Sequence, residues 1–347
     1  FLVAAALPVP WVAAHALGGL GLQHEGISVL AGLAILGAAF LLSWSMELAE
    51  RDIPQSLALL VLALVSVLPE YAVDLHFAVR AGQDPTYASY AVANMTGANR
   101  LLIGIGWAAV ALVAIVRDPR SRRGGAAVEI NPRQRLELRF LLLATLYSFV
   151  LPLWGTLSLV NAAVLFALFG AYVVAAARGE SVETPLVGPA AWLDARTGDT
   201  SRRALAMFLL VFAGAGIFLS AEPFAEGLVE VGRRGAVDEF LLVQWVAPLA
   251  SETPEFVIAL LFALRMRGDI GLGALVSAKV NQWTLLVGAL PVAYCISSGG
   301  WSGRASVPAR FLSFRERLAI TSNNVTATTC VASWTSSTSA SSARPVR

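Results

Sequence analysis

Apolar stretches of about twenty residues recur along this 347-residue chain, divided by short polar turns. They predict nine helices, near 1–18, 28–47, 56–79, 88–116, 139–156, 158–177, 204–229, 239–264 and 270–296. Stretches of this length match the hydrocarbon core of a bilayer, which a helix crosses at about 1.5 Å per residue. The expected fold class is therefore all-α, a polytopic transmembrane helical protein. Composition agrees: 57% of residues are hydrophobic, 14% are charged and the mean hydropathy is +0.69, which argues against a soluble domain.

Two polar linkers break the pattern, an arginine-rich one at 117–139 and a Gly-, Pro- and Thr-rich one at 178–203. The net charge of +2 says little about partners, but the placement of the arginines orients the chain. Loops on one side carry Arg51, seven arginines from Arg117 to Arg139, then Arg178, Arg196, Arg202, Arg203, Arg265 and Arg267. The other side carries only Arg80, Arg233 and Arg234, so the balance is fourteen against three and the first side is cytoplasmic. The N-terminus then starts inside. The chain begins at Phe1 and is expected to be trimmed there; its opening run lacks a basic leader and reads as an extra helix within 1–27, not a signal peptide. Cys295 and Cys330 give neither a disulfide framework nor a metal spacing.

Two further polar interruptions lie inside the apolar windows themselves. Ser66-Val67-Leu68-Pro69-Glu70 sits within 56–79, and Ser251-Glu252-Thr253-Pro254-Glu255 follows 185 positions later. A carboxylate at that depth costs about 3 kcal/mol on insertion scales, and proline removes a helical hydrogen bond. Aligned without gaps, 66–80 and 251–265 agree at seven of fifteen positions in the frame S-x-x-P-E-x-x-x-x-L-x-F-A-x-R. An odd number of helix steps separates them, so the two copies cross the membrane in opposite directions. This is an inverted-topology repeat, an architecture of many secondary transporters.

Helical spacing puts Ser66 one turn from Glu70 and Ser251 one turn from Glu255. With both prolines mid-helix, the carbonyls of Val65 and Ala250 lose their donors. Each copy thus offers a carboxylate, a hydroxyl and a free carbonyl, hard oxygen ligands suited to Na+, Ca2+ or a proton. The helix after each copy is polar in its first half: Asn94, Thr96, Gly97 and Asn99 after the first, Ser277, Lys279, Asn281 and Gln282 after the second. Such residues also serve as interhelical glue, but their clustering after both copies favours a lined site. Helix-end acids such as Glu47, Glu50, Glu222, Glu226 and Glu230 read as ordinary interfacial carboxylates. No histidine metal spacing and no G-x-S-x-G elbow occurs, so no enzyme activity is expected.

These two Pro-Glu helices, each followed by a small-residue and asparagine-rich helix, resemble the two alpha repeats of the cation/calcium exchanger superfamily, which includes sodium/calcium and proton/calcium antiporters. The family repeat reads G-T-S-L-P-E, then G-N-x-x-G-S-N-x-x-N, and the resemblance covers about 28–297. It implies that Glu70 and Glu255 are paired acidic ion ligands at the bilayer midplane. It implies hydroxyl ligands at Ser66 and Ser251 and amide ligands at Asn94 and Asn99, with Thr253 and Asn281 added as ion-binding candidates. Departures are clear: Val67 and Glu252 stand where the family has its second hydroxyl, Ala98 replaces a serine, and Ser277-Ala278-Lys279 replaces G-S-N.

Lys279 is the chain's only lysine among 25 basic residues. Unlike arginine, a desolvated lysine can release its proton. It is expected either to pair structurally with Glu70 or Glu255, or to replace one transported cation and exchange a proton. Two glutamates and this lysine leave a net charge of −1; Asp74, one turn beyond Glu70, is a second-rank charge-coupling candidate because its repeat counterpart is Ala259.

The resulting expectation is a secondary active cation antiporter working by alternating access, coupled to protons or sodium. The alternatives are a sodium/calcium exchanger proper, a non-transporting scaffold or a passive ion channel. No cofactor is expected beyond the transported Na+, Ca2+ or H+. The expected partners are inorganic cations and the lipid bilayer, with no nucleic acid, and the expected location is a bacterial plasma membrane. The chain divides into an extra helix (1–27), a first repeat (28–177), a cytoplasmic linker (178–203), a second repeat (204–297) and a Ser/Thr/Arg-rich tail (298–347). The tail has no apolar window, where the resemblance implies two more helices, and is expected to be disordered or the product of a shifted reading frame.

Overall fold

The computed structural model describes residues 1–16, 24–49, 52, 65, 67–117, 128, 132–154, 156–178, 186–235, 237–299 and 306–308. Among these, helix dominates. The first apolar window is broken in two, α1 (Leu2–Ala6) and α2 (Pro8–Ala16), because Pro8 has no N–H with which to continue the ladder past Leu7. Neither piece is long enough to span. The chain continues through α3 (His24–Ala49) and α4 (Leu68–Ala81), then α5 (Tyr87–Asn99), a π-helical stretch π1 (Arg100–Gly106) and α6 (Trp107–Arg117). After α7 (Pro132–Trp154) come α8 (Leu159–Ala177), the short α9 (Gly188–Asp194) and α10 (Asp199–Gly235). The last helices are α11 (Glu239–Leu264), α12 (Gly268–Asn281), π2 (Gln282–Leu286) and α13 (Val287–Ser298).

Local chemistry marks the helix starts. Ser158 caps α8 by accepting from the Asn161 N–H, and Asp238 caps α11 by accepting from that of Leu241. Among the described residues, six helices are long and apolar enough to cross a membrane. Their outer faces carry exposed Leu112, Val160, Phe208, Val211 and Phe218, while Glu70, Asp74, Glu252 and Lys279 are buried inside the bundle. That inversion of the usual polarity fits a protein whose solvent is lipid.

The repeat is visible in the backbone. Tyr87–Arg117 and Gly268–Ser298 are each 31 residues long, and each passes from α-helix through a π segment back to α-helix just after its polar residues. π segments of this kind concentrate at functional sites. The two halves interlock: α11 packs against α5 and α6 of the first half as well as α12 of its own, and α4 packs against α5, α10 and α13. The long α10 lies along α3.

One expectation fails in an informative way. The two prolines are not equivalent: Pro69 stands in the first turn of α4, after N-cap Val67, whereas Pro254 lies inside the unbroken α11 together with Pro248. A first-turn proline gives up no hydrogen bond, because the N–H it lacks would have no intrahelical partner. Residues 56–64 and Ser66 of the expected 56–79 helix lie outside the described residues. The only strands among the described residues are a three-residue antiparallel pair, β1 (Thr156–Ser158) with β2 (Ser306–Pro308). The rest of the tail from 309, including Cys330, lies outside the described residues.

Candidate ion-binding site

Glu70 projects from the first turn of α4 and accepts a hydrogen bond from Gln282 Nε2 at 2.6 Å. The same Nε2 reaches Glu252 Oε1 at 3.2 Å. Lys279 Nζ donates to Glu252 Oε1 at 2.9 Å, and also to Gln282 Oε1. Glu70, Glu252, Lys279 and Gln282 are all 4% exposed or less, so the network is sealed within the bundle. Glu255 lies three residues beyond Glu252, within electrostatic reach of both Glu252 and Lys279. The network joins the two halves: α4 supplies Glu70, while α11, α12 and π2 supply the rest.

A second pair lies one turn along α4. Asn94 Nδ2 donates to Asp74 Oδ1 at 2.9 Å, and both side chains are buried. Asp74 Oδ2 and Asn94 Oδ1 have no hydrogen-bond partner among the described residues. The repeat offset makes Asn94 the counterpart of Lys279, and Gly97 that of Gln282. Each half therefore sets a polar side chain of its second helix against an acid of its Pro-Glu helix, as Asn94 with Asp74 and as Lys279 with Glu252.

Not every expected ligand turns inward. Ser66 lies outside the described residues. Ser251 is buried but donates back to Ala247 O at 3.3 Å, and Thr253 bonds its own helix at Leu249 O. Asn99 ties helices together, donating to Met95 O at 3.0 Å and accepting from Trp283 Nε1 at 3.2 Å. Asn281 is buried at the end of α12. Lys279 was expected to pair with Glu70 or Glu255, but its partner is Glu252, a residue that reads in sequence only as a replaced hydroxyl. Gln282, part of the polar cluster read in the sequence but not among its expected ligands, links Glu70 to Glu252. A buried lysine demands a buried acid, and the four-residue window around Glu255 already held a second one. Among the described residues, no three His, Cys, Asp or Glu side chains converge as a ready metal site; Lys279 and Gln282 stand between the carboxylates.

Above this network the halves meet at Gly97. Pro248 has no N–H for the carbonyl of Gln244 four residues earlier, and that freed oxygen lies so near Gly97 that an added Cβ would fall 1.8 Å from it. The Gln244 side chain closes over the contact, accepting from Arg100 Nη1 at 2.6 Å and donating to Thr96 Oγ1 at 3.0 Å. Gly97 is thus required by close approach, not by its own backbone conformation.

A family model for the sodium/calcium exchanger protein matches residues 26–178 and 205–338. The chain belongs to this exchanger family. Among solved structures, the H+/Ca2+ exchanger CAX is 43% identical, with a TM-score of 0.80 over 88% of this chain and 75% of that one. The sodium-calcium exchanger NCX_Mj is 16% identical, with a TM-score of 0.50 over 82% of this chain and 93% of that one, a likeness of fold alone. Comparison with the curated proteins gives no match. Family membership and six membrane-length helices make the exchanger an integral membrane protein. The second matched segment runs to 338, beyond the 297 at which the sequence pattern ends the second repeat.

Proposed function

We propose that this exchanger is a secondary active antiporter that moves Ca2+ against protons by alternating access, with Glu70 and Glu255 as its principal cation ligands and Glu252 as a third. The observation that carries this reading is the sealed network linking Glu70, Gln282, Glu252 and Lys279 across the two halves. Counting two glutamates and one lysine gave a net charge of −1. With Glu252 inside, three carboxylates face one ammonium and the net charge is −2. One Ca2+ or two protons neutralise that charge, and only a neutralised centre crosses a low-dielectric barrier cheaply. Carboxylate oxygens are hard ligands that suit a calcium-sized ion. The likeness to the H+/Ca2+ exchanger CAX supports the same pair of ions.

Lys279 has a specific part in this scheme. With no cation bound, its ammonium holds Glu252 and, through Gln282, Glu70. An entering Ca2+ competes for those oxygens, so Lys279 must let go as the ion binds. It acts as an internal counter-ion that keeps the empty site from standing as bare buried carboxylates.

The test is Ca2+ uptake by the full chain in liposomes under an imposed pH gradient, with Na+ and K+ gradients as comparisons. Uptake should follow the pH gradient and fall by about tenfold or more in Glu70→Gln and Glu255→Gln. Flux that needs no counter-ion gradient and survives both substitutions would mark a passive channel and sink the proposal.

A further inference from the structure

Outside the cation network, one buried acid has its own unsatisfied chemistry. Asp74 is 0% exposed and Asn94 1% exposed, and between them they make a single hydrogen bond, Asn94 Nδ2 to Asp74 Oδ1 at 2.9 Å. Each side chain then has one oxygen over, Asp74 Oδ2 and Asn94 Oδ1, and neither has a partner among the described residues. Two adjacent lone acceptors in a membrane interior are costly, since no water is there to satisfy them. Both acceptors belong to side chains already joined by one hydrogen bond. A carboxylic acid facing a carboxamide forms a two-point pair: the amide N–H donates to the acid carbonyl and the acid O–H donates to the amide carbonyl. The first of these bonds is present, and one proton on Asp74 Oδ2 completes the second and satisfies both orphan oxygens.

We infer that Asp74 and Asn94 form a proton-binding site that holds one resident proton, keeping Asp74 neutral beside the cation network. The charged groups acting on Asp74 are Glu252 on α11 and Lys279 on α12; its own helix carries the Tyr71 phenol beside it and Glu70 one turn back. α5 contributes Asn94, and the other elements packed on α4, α10 and α13, bring no charged group onto Asp74 among the described residues. No basic side chain hydrogen-bonds Asp74, in contrast to Glu252 with its lysine. The consequence concerns ion choice and rests on the antiport reading above. An ionised Asp74 would take the buried centre from −2 to −3, leaving a charge behind every bound divalent cation. A neutral Asp74 leaves −2, the charge one divalent cation cancels. The resident proton therefore sets the valence of the cargo.

The experiment is infrared difference spectroscopy of the purified full chain, read at the carboxylic C=O stretch, with Ca2+ uptake measured alongside. A carboxylic band present in the wild type should vanish in Asp74→Asn and shift to higher frequency in Asn94→Leu, where the carbonyl loses its amide donor. Asp74→Asn should recover most of the Ca2+ uptake lost in Asp74→Ala, because an amide pairs with Asn94 as the neutral acid does. Identical bands in wild type and Asp74→Asn would show Asp74 ionised and overturn the inference. So would an Asp74→Asn variant as inactive as Asp74→Ala, or a carboxylic band that appears only when Na+ is withheld, which would assign the site to sodium. If the wild type moves no Ca2+ at all, the antiport reading fails, and the infrared arm still decides whether Asp74 holds a proton.

Discussion

The two halves of the exchanger carry the same Pro-Glu signature and offset its cost in different ways. In the first half, the proline is moved to a helix start, the acid beyond it is paired with an amide, and the glutamate itself accepts from Gln282 of the other half. In the second half, the prolines stay inside a continuous helix, and the extra acid is paired with a full positive charge. The first half is therefore a neutral pairing with room for a proton, and the second a charged pairing that a cation must break. A two-fold repeat with this division has one side that senses the cargo's charge and one side that yields to it.

The most severe way to break the comparison is to remove the charge from one member of the second half's pair. Lys279→Met leaves Glu252 buried with no counter-charge and should cost about 3–5 kcal/mol of stability. Asn94→Leu in the first half should cost less, about 1–3 kcal/mol, since it strands a group that hydrogen-bonds but has no ammonium partner. Thermal unfolding in detergent measures both. The double substitution Glu252→Met with Lys279→Met should recover most of the loss, because a pair of apolar side chains needs no partner. Equal costs for Lys279→Met and Asn94→Leu, or no recovery in the double variant, would mean that the two pairings are energetically alike.

The next test addresses where the halves touch. Gly97→Ala drives a methyl group into the Gln244 carbonyl and must part α5 from α11, at about 1–3 kcal/mol, whereas an alanine at Gly104, with open space around it, should cost nothing of that kind. Because Gly97 lies three residues, about one turn, beyond Asn94 and next to the Arg100–Gln244–Thr96 clamp, Gly97→Ala should also lower Ca2+ uptake more than its stability loss alone explains. Uptake that tracks stability in both variants would reduce the contact to simple packing.

The asymmetry also explains what was legible in the sequence. The signature, its repetition and the lone Lys279 stand out because each is a residue type that apolar helices rarely carry. The partner of Lys279 was hidden because the two are 27 positions apart, on different helices, and only the tertiary fold brings Glu252 rather than Glu255 to it. Gln282 stands in the polar cluster after the second copy but not among the expected ion ligands: it opens a π segment, where the helical period lengthens and side-chain faces inferred from a 3.6-residue repeat slip out of phase. Thr253, an expected ion ligand, donates its hydroxyl proton to its own helix at Leu249 O. The unequal prolines could not be told apart, because first-turn and mid-helix positions look alike inside one long apolar run.

The smallest effect belongs to a pairing at the membrane edge, and it sharpens the contrast with the buried ones. Asp52, just past α3, accepts from Arg202 Nη2 at 2.9 and 3.0 Å and from Arg203 Nε at 2.9 Å, tying that end of α3 to the start of α10. Some 24 residues further along α10, about 36 Å at the helical rise, Glu226 makes a matching cluster with His76 at 3.0 Å, Arg80 at 2.9 Å and Tyr87 at 2.6 Å. The long helix is thus pinned at both ends of the bilayer. Burial pushes the Asp52 carboxyl up, but the hydrogen bonds from Arg203 and Arg202 outweigh it and hold the group below its ordinary range. A depressed carboxyl contributes stability that is fully present above its unfolded value and is lost as pH falls through its folded one. Asp52→Asn should therefore lower Tm modestly at neutral pH, by less than Gly97→Ala, and the gap to the wild type should close in acid below about pH 4. High salt should shrink part of the same gap, by screening the exposed Arg203, while leaving the cost of Lys279→Met unchanged. A gap that persists in acid, or a Lys279→Met cost that salt erodes equally, would mean that the edge pair and the buried pair answer to the same dielectric.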